Sequence, residues 1–380
     1  MPPQLPPQQQ GSIPEDPAIV LDGFDGLKNV VDLQDLGPRD LAQARNIDLD
    51  DKGKARRRRG FRKVASGDFH SLFAGEDGRV YGVRNGSLGV INPDYSFVAL
   101  YAGLGGDPVG GAASVAYVQV GPSIYFSHPA ASGVINTETL TVSPWGPSQD
   151  IFLSPVVNPT ATLPAIRGKL LGKPPIATAL AYYNGRIYLA QDRVLWYTEL
   201  YAYSLVNKTA TFYNFEGDIT MVGTVGDGLY VGTTEGCYFL QGPANPLKRV
   251  RVLDSAVIPG SMVYIPAELA NPPQIGPVAD TPIQVSVAFM TTRGFCVGKD
   301  GGEAYNLTED KFFFPVAERS AALYRRQDGV NQYIAVNDSE GQPVNGARFG
   351  DYIDAEIIRG SASWQSLTET VVFSDTFTVN

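Results

Sequence analysis

A tight turn followed by a hydrophobic pair ending in an aromatic residue recurs along this chain, and that recurrence restricts the fold more than any single residue. It stands at Gly78-Arg79-Val80-Tyr81, Gly121-Pro122-Ser123-Ile124-Tyr125, Asn184-Gly185-Arg186-Ile187-Tyr188 and Gly226-Asp227-Gly228-Leu229-Tyr230. Weaker copies follow at Thr292-Arg293-Gly294-Phe295 and Gly329-Val330-Asn331-Gln332-Tyr333. Strand-like runs precede it, as in Ser71-Leu72-Phe73-Ala74, and follow it, as in Val194-Leu195-Trp196. Strand, turn and strand repeated about six times predicts an all-β chain, an irregular β-propeller of about six blades. The aromatic ends at 81, 125, 188, 230, 295 and 333 lie 44, 63, 42, 65 and 38 residues apart. Three of these spacings suit one four-stranded blade of roughly 40–45 residues. The two longer ones carry proline-rich surpluses, near 144–175 with seven prolines and near 243–282 with eight. Proline cannot donate to a strand ladder. These stretches therefore read as loops or excursions, or as a small second β-domain built from both insertions, and a pair of β-sandwiches is the other architecture the spacing permits.

Composition agrees with many short strands: Gly 41 and Pro 28 supply turns, and Tyr 19 and Phe 18 supply strand-friendly aromatics. The 30 basic and 39 acidic residues leave a net charge of -9, which speaks against a general nucleic-acid binder. It leaves open a surface that DNA slides past without sticking. Cys237 and Cys296 sit inside apolar runs and read as buried thiols, with no spacing that suggests a metal site. The start MPPQLPPQQQGSIPEDP has neither a basic head nor an apolar core, so it does not read as a signal peptide. No apolar run approaches the ~18 residues of a membrane span, and the expectation is a soluble protein made in the cytoplasm.

Along the chain, residues 1–18, with six prolines and three consecutive glutamines, read as a flexible arm. Residues 19–64 read as a lead-in segment that makes an assembly contact, and 65–380 as the propeller-type domain. Within the lead-in, Gly37-Pro38-Arg39-Asp40-Leu41-Ala42-Gln43-Ala44 is at most a two-turn helix opened by its proline. The acidic run Asp48-Leu49-Asp50-Asp51 then stands beside the basic run Arg56, Arg57, Arg58 and Arg59, a pattern of a contact surface or a self-compensating hairpin. The four arginines are either a solvated loop or a contact with an acidic partner, another copy of this chain included, or with DNA phosphates.

Catalytic chemistry is not legible. His70 precedes Ser71, yet neighbours in a strand point to opposite faces, so the two do not read as base and nucleophile; His128 reads as structural. Neither Gly-x-Ser-x-Gly nor a phosphate-binding Gly-x4-Gly-Lys-Ser/Thr is present. Gly103 to Gly111 has a proline inside and reads as a mobile loop. Asp48 to Gly53 lacks the closing glutamate of a calcium loop. The acids of Gly75-Glu76-Asp77-Gly78, Gly226-Asp227-Gly228 and Lys299-Asp300-Gly301 are explained by turn chemistry. The expectation is a non-enzyme with no catalytic residue, cofactor or metal.

The order Gly23-Phe24-Asp25-Gly26-Leu27, Ala44-Arg45-Asn46, Gly53, Arg59-Gly60-Phe61-Arg62-Lys63-Val64, then His70-Ser71-Leu72-Phe73-Ala74 and Gly78-Arg79-Val80-Tyr81 resembles the tail nozzle proteins of short-tailed bacteriophages. These are also called tail tubular B or tail-hub stabilisation proteins. That family opens with a small-residue/Asn stretch and an Arg-Gly turn before its first propeller strands. The resemblance implies a structural virion protein of the tail. It implies a homo-oligomeric ring, typically sixfold, beside tail and adaptor proteins, enclosing a genome-ejection channel through which DNA passes without specific binding. A host-surface contact is compatible with that place. The alternatives are a baseplate or receptor-contacting propeller of a long-tailed phage, and, from another class, a carbohydrate-binding or carbohydrate-cleaving propeller.

Overall fold

The computed structural model describes residues 23–28, 30–42, 47–49, 53–57, 63–104, 114–153, 168–243, 245–266, 285–309, 311, 317–327 and 330–338. The arm at 1–18, Arg58, Arg59, the loop at 105–113, residues 267–284 and the tail from 339 lie outside the described residues. The chain divides into two compact units, residues 1–59 and 60–380.

In the first unit, Gly26–Leu27 pairs in parallel with Asp40–Leu41, and Ile47–Leu49 pairs antiparallel with Ala55–Arg57. The short helix expected after Gly37 is not formed among residues 37–42. Instead Gly37 to Asp40 closes a turn, with the Asp40 N–H donating to the Gly37 carbonyl (3.0 Å) and the Gly37 N–H to the Asp40 carboxylate (3.1 Å). An acid that satisfies a turn's own backbone competes with helix. The freed strand then pairs across to Gly26–Leu27, where Lys28 meets Asp40 at 3.4 Å.

The second unit is all-β, and no helix among the described residues is long and apolar enough to cross a membrane. Among the described residues five four-stranded antiparallel sheets follow one another, each a meander whose neighbouring strands are adjacent in sequence, except that Val206–Asn207 intervenes before the last strand of the third. The first comprises Phe69–Ala74, Val80–Arg84, Ser87–Ile91 and Phe97–Ala102. The second comprises Ala116–Val120, Ser123–His128, Ala131–Asn136 and Val142–Pro144. Ala179–Tyr183, Arg186–Gln191, Val194–Tyr197 and Phe212–Asn214 form the third, and Ile219–Val225, Gly228–Thr233, Cys237–Gln241 and Lys248–Leu253 the fourth. The fifth is Val263–Pro266, Val285–Thr291, Gly294–Gly298 and Ala304–Asn306, and a hairpin of Arg319–Gln327 with Val330–Asp338 follows it.

Successive sheets share cores face to face, as the blades of a propeller do. Tyr81, Val83 and Leu88 of the first sheet pack with Ile124, Phe126 and Ile135 of the second. Val118 and Tyr125 pack with Leu180, Ile187 and Leu189 of the third. Tyr188 and Leu195 pack with Val222, Leu229 and Leu240 of the fourth, and Tyr230 and Phe239 with Val287 and Phe289 of the fifth. Phe295 and Met290 pack with Tyr333 of the hairpin. Each such side chain contributes roughly 1.5–3 kcal/mol on burial.

The recurring aromatics are the bodies of these joints. In the first four sheets the turn joins the first and second strands and the tyrosine that follows is buried. At the fifth copy the pattern slips by one strand: Thr292-Arg293 joins the second and third strands, because residues 267–284 intervene between the first and second. The first proline-rich stretch adds Ile151–Leu153 and Lys169–Gly172, which pair in a three-stranded sheet with Val206–Asn207 from the third sheet's last connection. The third strand is thus not supplied by the second proline-rich stretch. Of that stretch, Lys248–Leu253 and Val263–Pro266 are sheet strands, with Pro266 at a strand end where its missing donor costs no internal bond.

Candidate functional site

Polar side chains of the second unit bridge each joint between one sheet and the next. Between the first and second sheets, Arg79 Nη1 donates to the Thr137 carbonyl (2.7 Å) and the Glu76 N–H to Gln119 Oε1 (2.9 Å). Between the second and third, the Ala177 N–H donates to Ser127 Oγ (2.8 Å) and Trp145 Nε1 to the Tyr203 carbonyl (2.9 Å). Between the third and fourth, the Tyr188 and Tyr213 hydroxyls both reach Asn245 Oδ1, at 3.1 and 2.8 Å. The fourth and fifth are clasped reciprocally. The Gly226 N–H donates to Asp300 Oδ1 (2.7 Å), the Gly301 N–H lies 3.0 Å from both Asp227 oxygens, and the Tyr230 hydroxyl donates to the Lys299 carbonyl (2.6 Å). On the hairpin, the Tyr333 hydroxyl donates to the Ser261 carbonyl (2.6 Å).

Burial and bonds within the sheets set the charge states. Burial works against the charge on Asp77, yet the Tyr81 hydroxyl and the Arg79 backbone and guanidinium together hold its carboxyl below the usual range. Burial, then the Asp77 carboxylate, pushes Tyr81 up to about 12. Burial likewise pushes the Cys296 thiol up to about 11 and Cys237 higher still, so both stay protonated and unreactive at neutral pH.

His70 and Ser71 do come together, against the alternation argument. A bulge between His70 and Phe73 shifts the register, Ser71 takes a φ of 52°, and His70 Nδ1 shares a 2.9 Å hydrogen bond with Ser71 Oγ. Alternation fails wherever a bulge inserts a residue. Ser71 Oγ also accepts the Val115 N–H at 2.9 Å, which ties the bulge to the lead of the second sheet. Burial holds the His70 imidazole below its ordinary value, with Asp68 opposing. His128 is buried at the end of its strand, its Nδ1 accepting the Ala130 N–H at 3.1 Å.

Of the four arginines, Arg56 and Arg57 are described, both exposed on the strand Ala55–Arg57. The register sets Arg56 opposite Asp48, which is buried, and Arg57 opposite Ile47. Among the described residues no group of three or more His, Cys, Asp or Glu side chains is placed to hold a metal ion. The sequence reading missed the reach of Asp227 and Asp300 across to each other's turns. Gly-Asp-Gly at 226–228 and Asp-Gly-Gly at 300–302 announce turns, but nothing local in them says which turns will face each other.

No protein-family model and no curated protein matches this chain. Among solved structures it is similar to the extracellular domain of a two-component system from B. thetaiotaomicron, with a TM-score of 0.36 at 9% identity over 75% of this chain and 43% of that one. It is also similar to the dihydro-heme d1 dehydrogenase NirN, with a TM-score of 0.36 at 13% identity over 68% and 48%. A third is the AfRom2 CNH domain, with a TM-score of 0.34 at 9% identity over 73% and 99%. The chain spans 38% and 43% of the length of the first two structures it matches. Likeness at this level says nothing of what this chain binds or does.

Proposed function

We propose that this chain is a structural subunit of a bacteriophage tail, part of a nozzle or hub ring around the genome-ejection channel. The observation that carries the reading is where the polar chemistry goes. Hydroxyls and carboxylates that elsewhere would serve catalysis, such as Ser127, Tyr230, Asp227, Asp300 and Tyr333, are here bonded to backbone groups across the joints between sheets, which is how a load-carrying scaffold uses them. The order of residues in the lead-in segment, which resembles the tail nozzle proteins, supplies the place in the particle. The net charge of -9 suits a channel past which phosphate slides.

Within this reading the exposed Arg56 and Arg57, with Arg58 and Arg59 beyond the described residues, contact acidic surface on a neighbouring subunit. Guanidinium groups form paired bonds with carboxylates, and partly buried pairs resist salt. Replacing all four arginines with serine should weaken ring or tail assembly and leave the thermal midpoint of the isolated chain within about 1 °C, since exposed charges contribute little to stability. Normal assembly by the variant would return the cluster to a solvated surface. Steep, salt-sensitive duplex binding lost in the variant would instead assign it to DNA.

A further inference from the structure

A cleft opens at the turn ends of the third and fourth sheets. It has a volume of about 550 Å³ and is lined by Tyr183, Asp227, Gln241, Gly242, Pro243 and Lys248. The Tyr183 hydroxyl, the Gln241 amide and the Lys248 ammonium take part in no hydrogen bond or ion pair among the described residues. Three polar side chains without a partner among the described residues therefore line one cleft and are free to meet a ligand. Burial and the nearby Asp227 and Asp300 charges raise the Tyr183 phenol, which keeps it a hydrogen-bond donor.

Beside the cleft, across the turn Asn184-Gly185, stand Leu200 and Tyr201, 50% and 72% exposed. Tyr201 holds a φ of 54°, a left-handed conformation that costs a non-glycine residue of order 1 kcal/mol. Its N–H donates to the Gly185 carbonyl at 2.8 Å, and its ring lies over Gly185, where a Cβ would meet it at 2.9 Å. A left-handed backbone here carries a largely exposed aromatic ring, as it also does at Tyr95, with a φ of 65° and 51% exposure, but only Tyr201 stands beside the cleft.

We propose that this strip binds a chain of neutral pyranose sugars, with Tyr201 as a platform and the cleft as the polar subsite. The weakly positive C–H face of a pyranose lies against the negative face of an aromatic ring. The Asp227 carboxylate accepts from sugar hydroxyls, while Lys248, Gln241 and the Tyr183 hydroxyl donate to sugar oxygens. An exposed carboxylate next to the one lysine disfavours a phosphate or polyanion. The openness of the cleft suits a chain lying along the surface better than an enclosed metabolite. The inference does not depend on the tail assignment, and it involves binding without cleavage.

The test is calorimetric titration of the full chain with maltohexaose, cellohexaose and chitohexaose. The strip predicts binding of at least one of them with a Kd of about 1 mM or tighter. Tyr201→Gly should weaken it roughly tenfold or more while the thermal midpoint holds or rises, because glycine accepts the left-handed φ that tyrosine is strained in. Lys248→Ala should weaken the same ligand with no loss of stability. Three outcomes overturn the proposal: no binding of any of the three sugars at about ten times that concentration, binding that both variants leave intact, or a Tyr201→Gly effect confined to self-association, which would make the strip a protein contact.

Discussion

Replacing Tyr230 with Phe removes one hydroxyl from the joint between the fourth and fifth sheets and leaves its buried ring in place. That hydroxyl lies 2.6 Å from the Lys299 carbonyl and 2.9 Å from the Glu303 carbonyl. The Glu303 carbonyl keeps the Lys299 N–H at 2.9 Å, so the variant's loss falls mainly on the Lys299 carbonyl, which is half-buried. A hydrogen bond of this kind is worth about 0.5–1.5 kcal/mol net, and stranding its acceptor raises the cost to about 1–2 kcal/mol. Spread over a unit spanning residues 60–380, with an unfolding entropy of about 2 cal/mol/K per residue, that lowers the thermal midpoint by about 2–3 °C. Burial keeps the Tyr230 phenol protonated far into the alkaline range, so the difference from the wild type should not vary between pH 6 and 9. Hydrogen exchange locates the effect: amides of residues 299–306 should lose protection while those of the first two sheets do not change. A midpoint shift below about 0.5 °C, or protection lost evenly across all sheets, would refute the idea that this tyrosine clamps one joint.

Burial holds His70 below its ordinary 6.5, so just below that pH the unfolded chain binds more protons than the folded one. Stability should therefore fall as pH drops through this window, and His70→Gln should flatten that part of the profile; melts with equal slopes would contradict it. Gly260 has a φ of 76°, and a Cβ there would overlap the Ser320 carbonyl. Gly260→Ala should accordingly cost about 1–3 kcal/mol and loosen the hairpin of Arg319–Gln327 and Val330–Asp338 first, read as local exchange at its amides. Uniform destabilisation, or none, would count against that placement.

The sheets were legible because their aromatic positions do two things at once. Tyr81, Tyr125, Tyr188 and Tyr230 each follow a tight turn and each fill an inter-sheet core, so a local signal reports a tertiary fact. Where the two separate, the reading falters. Phe295 follows a weaker copy of the turn and sits one strand later in its meander, since turn chemistry does not number the strand it follows. The bulge at Ser71 reverses the facing of His70, and no residue type there demands a bulge. Pairing of Leu171 with Asn207 depends on a contact across the third sheet that composition does not encode. Tyr201 was invisible for a related reason: an exposed tyrosine in a loop looks ordinary until its φ is known.

Electron microscopy of the purified full chain, at low and high salt, bears most directly on the scaffold reading. The account predicts closed rings of several copies around a central opening, lost in the variant with serine at positions 56–59 and unaccompanied by glycan hydrolysis. A chain that stays monomeric at every concentration and salt, or one that cleaves a glycan, would contradict it.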